Sequence, residues 1–318
     1  MSQPKPRPRR LANLVAFLVL AVVLGAGIAT VANLALGPGA DAPAAVAEET
    51  TDGTHGGGAG GTAVDADGIA WPAHGAAAYA IDDGEIVTHS DEALPMASIT
   101  KLVTALLVLE ERQLQVGDPG VEYHFVEKWN DSYDEYLARG ESALKVPVGG
   151  VLTEYQLLQG MLIGSACNYA DILVSQMWGD DATFATAAGD FLERHGIDGI
   201  TIVEPTGIDP RNTATATALI ELGRLAMANP VVAEIVAQRE VELPGAGHVE
   251  NTNDLLADAG VVGIKTGTLD GSGLLSAKDI PRQDGTVRVF AVVLGQPDDD
   301  ARFTASLALY ASVQEQLG

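Results

Sequence analysis

The chain carries only six lysines in 318 residues, so a lysine three places after a serine is a sparse and testable signal. Apart from Ser2–Lys5 in the proline-rich N-terminal tail, two such pairs occur, Ser98–Lys101 and Ser142–Lys145. An amine that can take a serine proton turns that serine into a nucleophile. The two side chains share a face at this spacing only inside a helix. Ser98 opens the stretch MASITKLVTALLVLEERQL, whose apolar residues at 99, 102, 103, 106 and 107 have helical spacing. At a helix start the Ser98 backbone N–H is also free to bind an oxyanion. Ser142–Lys145 runs instead into Pro147 and the Gly149–Gly150 pair, which oppose a helix, and is set aside. Taken alone, the first pair also fits a helix cap followed by a solvated charge.

It has company. Lys265-Thr266-Gly267-Thr268 lies in a β-rich run in which small residues let a ligand backbone approach. Such a strand can pair with a peptide while Lys265 and Thr266 bind an anionic end of it. The Thr268 backbone N–H could complete an oxyanion hole with that of Ser98. Between the two motifs Ser165 sits in a tight break after Gly164. The chain's one cysteine, Cys167, follows two residues on, with Asn168 next to it. The six histidines show no metal-ligand spacing, so surface or core duty is expected of them. The segment EKWNDSYDEYLARGES, with Trp129, Tyr133 and Tyr136, reads as an ordinary solvated element rather than a loop over a groove. Asp298–Asp300 reads as a solvated helix start, where acids suit the dipole.

These groups need elements to hold them. GAAAYAIDDGEIVTHS reads as two strands around an Asp-Gly turn. TEYQLLQGML opens with Thr153 and Gln156, a capping-box pair, and a further helix is expected from about Asn168 to Gly179. VVGIKTGTL, GLLSAK and VRVFAVVLGQ read as an antiparallel meander, and 299–317 as a closing helix. A hairpin, then helices, then sheet and helix give an α+β fold with helices packed on a mostly antiparallel sheet.

Ahead of this lies a segment of another kind. Residues 1–10 carry Lys5, Arg7, Arg9 and Arg10 and no acid, and no charge follows from Leu11 to Leu36. That apolar run is longer than a cleavable signal core and long enough for a bilayer. The small-residue site Ala45-Val46-Ala47 lies well beyond it. Residues 11–36 are therefore read as a single transmembrane signal-anchor with the tail 1–10 in the cytoplasm; a removed signal peptide is the other reading. Residues 37–68 are rich in Ala, Gly, Thr and Asp and read as a flexible linker. Its end, Asp65-x-Asp67-Gly68, lacks the later ligands of a calcium loop. The working domain, 69–318, then lies outside the cell. With one cysteine it has no internal disulfide and depends on its core. The net charge of −25, more acidic still without the basic tail, argues against nucleic acid and against lying on anionic lipid.

Ser98–Lys101, Ser165 and Lys265-Thr266-Gly267 stand in the order of the three motifs of the penicillin-recognising serine acyltransferases, which they resemble. EALPMASITKLVTALLVLE, VPVGGVLTEYQLLQGMLIGSACNYAD, EPTGIDPRNTATA and NTNDLLADAGVVGIKTGT are similar to the D-alanyl-D-alanine carboxypeptidase family, the low-molecular-mass penicillin-binding proteins, over about residues 70–315. The resemblance implies an antiparallel sheet packed with helices plus a mostly helical subdomain. It implies removal of the terminal D-Ala from peptidoglycan stem peptides through an acyl-enzyme on Ser98, and acylation by β-lactams, with no cofactor or metal. Lys101 would be the base, neutral because burial and the nearby positive Lys265 disfavour its charge. Ser165 would relay a proton to the leaving amine. Lys265, Thr266, Gly267 and Thr268 would bind the substrate, as would Cys167 or Asn168.

The departure is at Cys167, which stands where the family's second motif has Asn, so that Asn168 comes one residue late. Either Cys167 is a tolerated replacement, or Asn168 swings in, or the site is impaired and the protein is a cell-wall scaffold. A β-lactamase is the enzymatic rival. It would use Glu204 on a deacylating water, but Gly207-Ile208 replaces the Leu-Asn expected after Glu-Pro.

Overall fold

The computed structural model describes residues 68–318; the expected cytoplasmic tail, signal-anchor and linker up to residue 67 lie outside the described residues. Among the described residues no helix is long and apolar enough to cross a membrane.

The first hairpin forms as read, with β1 (Ala76–Ile81) antiparallel to β2 (Val87–Ser90). Strand β3 (Leu94–Pro95) leads into a one-turn 3-10 helix, Ala97–Ile99, and directly into α1 (Thr100–Arg112). Every residue of α1 from Thr100 to Leu109 is buried. The helix therefore runs through the interior instead of presenting one face to water.

Next come β4 (Glu122–His124), α2 (Asn130–Ala138) and β5 (Val151–Thr153), with β4 paired to β5. The capping box starts α3 (Glu154–Leu162): Thr153 Oγ1 accepts from the Gln156 N–H, and Gln156 Oε1 accepts from the Thr153 N–H. A short break separates it from α4 (Cys167–Met177), and α5 (Asp181–Arg194) is capped by Asp180. Strands β6 (Ile200–Thr201) and β7 (Thr213–Ala214) join β3 in a small sheet. Helix α6 (Ala216–Ala228) is followed by α7 (Pro230–Val236), whose proline sits where no helical N–H is needed. The hairpin β8 (Glu240–Leu243) and β9 (Gly247–Glu250) precedes the meander β10 (Val261–Thr268), β11 (Ser272–Arg282) and β12 (Gly285–Gln296). Helix α8 (Asp299–Leu317) closes the chain.

The main sheet is antiparallel in the order β10-β11-β12-β1-β2. Successive strand residues point to opposite faces, and in β1 both faces are covered. Ala76, Ala78 and Ala80 join the larger core with α1 and α6, while Ala77 and Tyr79 join Tyr310, Val313 and Leu317 of α8. The short alanine side chains suit a strand enclosed from both sides.

Strand β10 is the edge of that sheet, and it lies against the Ala97–Ile99 turn. A Cβ on Gly267 would stand 2.5 Å from the Met96 carbonyl oxygen. Gly267 is therefore needed for the approach of the strand to the turn.

Candidate active site

Ser98 is the middle residue of the 3-10 turn, half-buried, and preceded by Ala97 at φ +47. A non-glycine residue in that region is uncommon and marks a backbone held in place by its surroundings. Lys101, fully buried in the first turn of α1, reaches three groups. Its Nζ lies 2.8 Å from Ser98 Oγ, 2.6 Å from the Thr206 carbonyl oxygen and 3.4 Å from Cys167 Sγ. The i, i+3 spacing has thus delivered an amine to a serine oxygen inside the protein.

Opposite stands a second serine and lysine from distant parts of the chain. Lys265, on β10, donates to Ser165 Oγ at 3.0 Å and to the Thr266 carbonyl at 3.2 Å. Ser165 occupies the α3–α4 break at φ +58. Burial, then the positive charges of Lys101 and Arg302, push Lys265 well below the ordinary lysine range. The positive neighbour that the sequence reading places beside Lys101 is therefore itself held toward neutrality.

Around Thr266 and Thr268 stand residues that the motif reading did not name. Thr266 Oγ1 shares a 2.6 Å hydrogen bond with Thr252 Oγ1. Arg302, on α8 and nearly buried, donates to Thr268 Oγ1 at 2.7 Å and to the Gly267 carbonyl at 3.3 Å. Burial lowers the Arg302 pKa, but a guanidinium starts so far above neutral pH that it stays charged. Asp299 accepts from Thr268 Oγ1 and Ser272 Oγ, a duty beyond the solvated helix start expected of it. Thr252 lay within a quoted family-like segment. Arg302 had no local signal, since an arginine one turn into an amphipathic helix normally points to water.

Of the two candidates at the departed motif position, the structure brings in one. Cys167, the first residue of α4, is buried with its sulfur toward Lys101. Burial pushes the thiol up while Lys101 opposes the shift, which disfavours a thiolate nucleophile. Asn168 is fully buried and engaged elsewhere. Its side chain accepts from the Leu144 N–H at 3.1 Å and donates to the Leu144 carbonyl at 2.7 Å, because the helix turns it away from Cys167. The reading of Asn168 as a substrate-binding residue is corrected.

Two neighbours complete the surroundings. Tyr136, read as part of a solvated segment, is buried and donates to Asp171 Oδ2 at 2.6 Å. Burial above all raises the Asp171 pKa to about 6; Asp181 and Glu204 add to it, and the Tyr136 bond works against it. Glu204 is enclosed in its own loop, its carboxylate turned onto backbone N–H groups and away from Ser98. Among the described residues no group of three His, Cys, Asp or Glu is arranged to hold a metal ion.

A family model described as D-alanyl-D-alanine carboxypeptidase matches residues 70–298. The D-alanyl-D-alanine carboxypeptidase DacB2 of Mycobacterium tuberculosis is 31% identical over 199 residues. That match covers 59% of this chain and 63% of the relative, just short of two thirds of its length. Among solved structures, the Streptomyces K15 DD-transpeptidase is similar at a TM-score of 0.64 and 22% identity, covering 77% of this chain and 97% of that one. Penicillin binding protein 6B from Escherichia coli is similar at 0.65 and 20%, covering 74% and 76%. At these identities the structural likeness bears on the fold.

Proposed function

The chain belongs to the D-alanyl-D-alanine carboxypeptidase family, and on that premise we propose that it is a serine D,D-carboxypeptidase acting on peptidoglycan stem peptides. The observation that carries this reading is the Lys101 amine 2.8 Å from Ser98 Oγ, with the Lys265–Ser165 pair facing it. Lys101 takes the Ser98 proton as Oγ attacks the carbonyl between two D-alanines. The backbone N–H groups of Ser98 and Thr268 receive the oxyanion. The C–N bond breaks, Ser165 passes a proton to the departing amine, and the peptide remains as an ester on Ser98. Water then cleaves the ester and frees the enzyme.

The terminal carboxylate is held by Lys265, Thr266 and Thr268, with Arg302 as the permanent positive charge behind them. Cys167 is the tolerated replacement in the second motif: it keeps contact with Lys101, so the groove remains assembled. A β-lactamase mechanism through Glu204 is disfavoured, because five donors already occupy its carboxylate. Segment 69–318 is the catalytic domain, working outside the membrane from an anchor at 11–36.

The test is an intact-mass time course of the protein with a penicillin, beside Ser98→Ala. An adduct lasting many minutes and absent from the variant is expected. No adduct on folded wild type would overturn the reading in favour of a binding protein, and a transient adduct with rapid drug loss would overturn it in favour of a β-lactamase.

A further inference from the structure

The loop that follows β6 makes three successive contacts with the nucleophile and its helix. The Pro205 carbonyl accepts from Thr104 Oγ1 at 2.8 Å. The Thr206 carbonyl accepts from Lys101 Nζ at 2.6 Å. Gly207, at φ +86, lies so close to the nucleophile turn that a Cβ there would stand 1.9 Å from the Ala97 carbonyl oxygen and 2.9 Å from the Ser98 nitrogen. Such contacts require the peptide planes of 205–207 to be fixed in direction.

One side chain fixes them. Glu204 is nearly buried, yet among the described residues no lysine or arginine pairs with it; its carboxylate is met by donors from its own loop. Oε2 accepts from the Thr206 N–H at 2.7 Å and from Thr206 Oγ1 at 2.6 Å. Oε1 accepts from the Gly207 N–H at 2.6 Å, the Asp209 N–H at 3.4 Å and Asn212 Nδ2. Asn212 in turn ties the other end of the loop back: its Oδ1 accepts from the Val203 and Glu204 N–H groups, and its Nδ2 donates to the Glu204 carbonyl. A carboxylate turns two acceptor oxygens with about four lone-pair sites toward these converging donors, the longest of which is shared, whereas an amide has one acceptor oxygen and would turn its own N–H groups toward them.

We infer that Glu204 is a positioning residue for Lys101, setting the Thr206 carbonyl that aims the amine at Ser98. The inference rests on the acyl-enzyme reading of the site. Glu204 touches neither Ser98 nor Lys101. It determines where the Thr206 carbonyl points, and that carbonyl, at 2.6 Å from Nζ, anchors the amine at the position from which it meets Ser98 Oγ at 2.8 Å. A misplacement of about 1 Å at a reacting pair costs about 10²-fold in rate.

The experiment measures acylation of Ser98 by a penicillin over a range of drug concentrations, which separates the saturation constant from the limiting rate. Rates are taken from the adduct-forming population only, so that misfolded protein does not count. Glu204→Gln is expected to lower the limiting rate by about 10²-fold and to leave the saturation constant unchanged, because the carboxylate end of the groove is untouched. Thr206→Val removes one of the five donors and keeps the carbonyl, so it folds more safely; a severalfold fall in the same constant is expected. A wild-type limiting rate in both variants, or equal loss in both constants, would overturn the inference. So would a Glu204→Gln protein that cannot fold beside a Thr206→Val protein that acylates normally. A wild-type protein that forms no adduct would overturn the functional reading and this inference with it.

Discussion

Ser98–Lys101 and Ser142–Lys145 carry the same spacing and have opposite fates. The first enters a helix, so its serine and lysine meet at 2.8 Å, and the lysine is fully buried. The second lies in irregular chain, with both residues exposed, and Lys145 sits 5.4 Å over the Tyr133 ring. The second copy still serves the site, by its backbone. The Ser142 carbonyl accepts from the Cys167 N–H, Leu144 is held through both backbone groups by Asn168, and the Lys145 carbonyl accepts from the Tyr169 hydroxyl. Three consecutive residues at the start of α4 thus dock one stretch of loop. A motif states which side chains are available; local structure decides whether those side chains or only the peptide groups beneath them are used.

That contrast can be broken most directly at its two lysines. Lys101→Ala removes the base and is expected to slow penicillin acylation by about 10³-fold, within the usual range for a general base. Lys145→Ala, at an exposed position, should leave the same rate within about twofold, a surface change of the kind that normally costs little. Equal effects at the two would erase the distinction. The backbone role of the second copy is read by Asn168→Ala. It leaves the Leu144 N–H and carbonyl without their partner in a part-buried site, at a cost of about 1–3 kcal/mol. Thermal or urea unfolding measures this, and an unchanged midpoint would show that the loop is held by other means. The smallest effect concerns the first copy's sulfur neighbour. Cys167→Asn replaces a weak hydrogen-bonding group by a stronger one at the same place. D-Ala release from a peptide substrate is expected to change by less than about tenfold; a much larger gain would mean that Cys167 impairs the enzyme.

The elements were legible wherever the chain uses short-range signals. The Asp-Gly turn, the Thr153–Gln156 capping box and the β-rich runs around Lys265 each formed at their expected places. Such features depend on a few neighbouring residues, so a sequence window contains their cause. The site was legible to the extent that its groups come as motifs. Asn168 was misjudged because its letter matched the motif one position late, and one position on a helix turns a side chain by about 100° away from the groove. Arg302, Thr252 and Tyr136 were missed or undervalued because their partners are Thr268, Thr266 and Asp171, each 14 to 35 residues away.

The sequence by itself placed a serine and a lysine within reach of each other at the entry to α1, because i and i+3 on a helix are neighbours whatever the helix packs against. It also determined that the strand bearing Lys265 would be narrow at Gly267, since no other residue lacks a Cβ. Only the tertiary structure decided that β10 lies against the Ala97–Ile99 turn and that Lys265 meets Ser165 from a hundred residues away. It alone decided that Glu204 turns inward to hold its loop against Lys101. These outcomes follow from how a sheet and a set of helices close over a shared core. The free energy of that closure is spread over dozens of buried side chains, and no short window of sequence contains it.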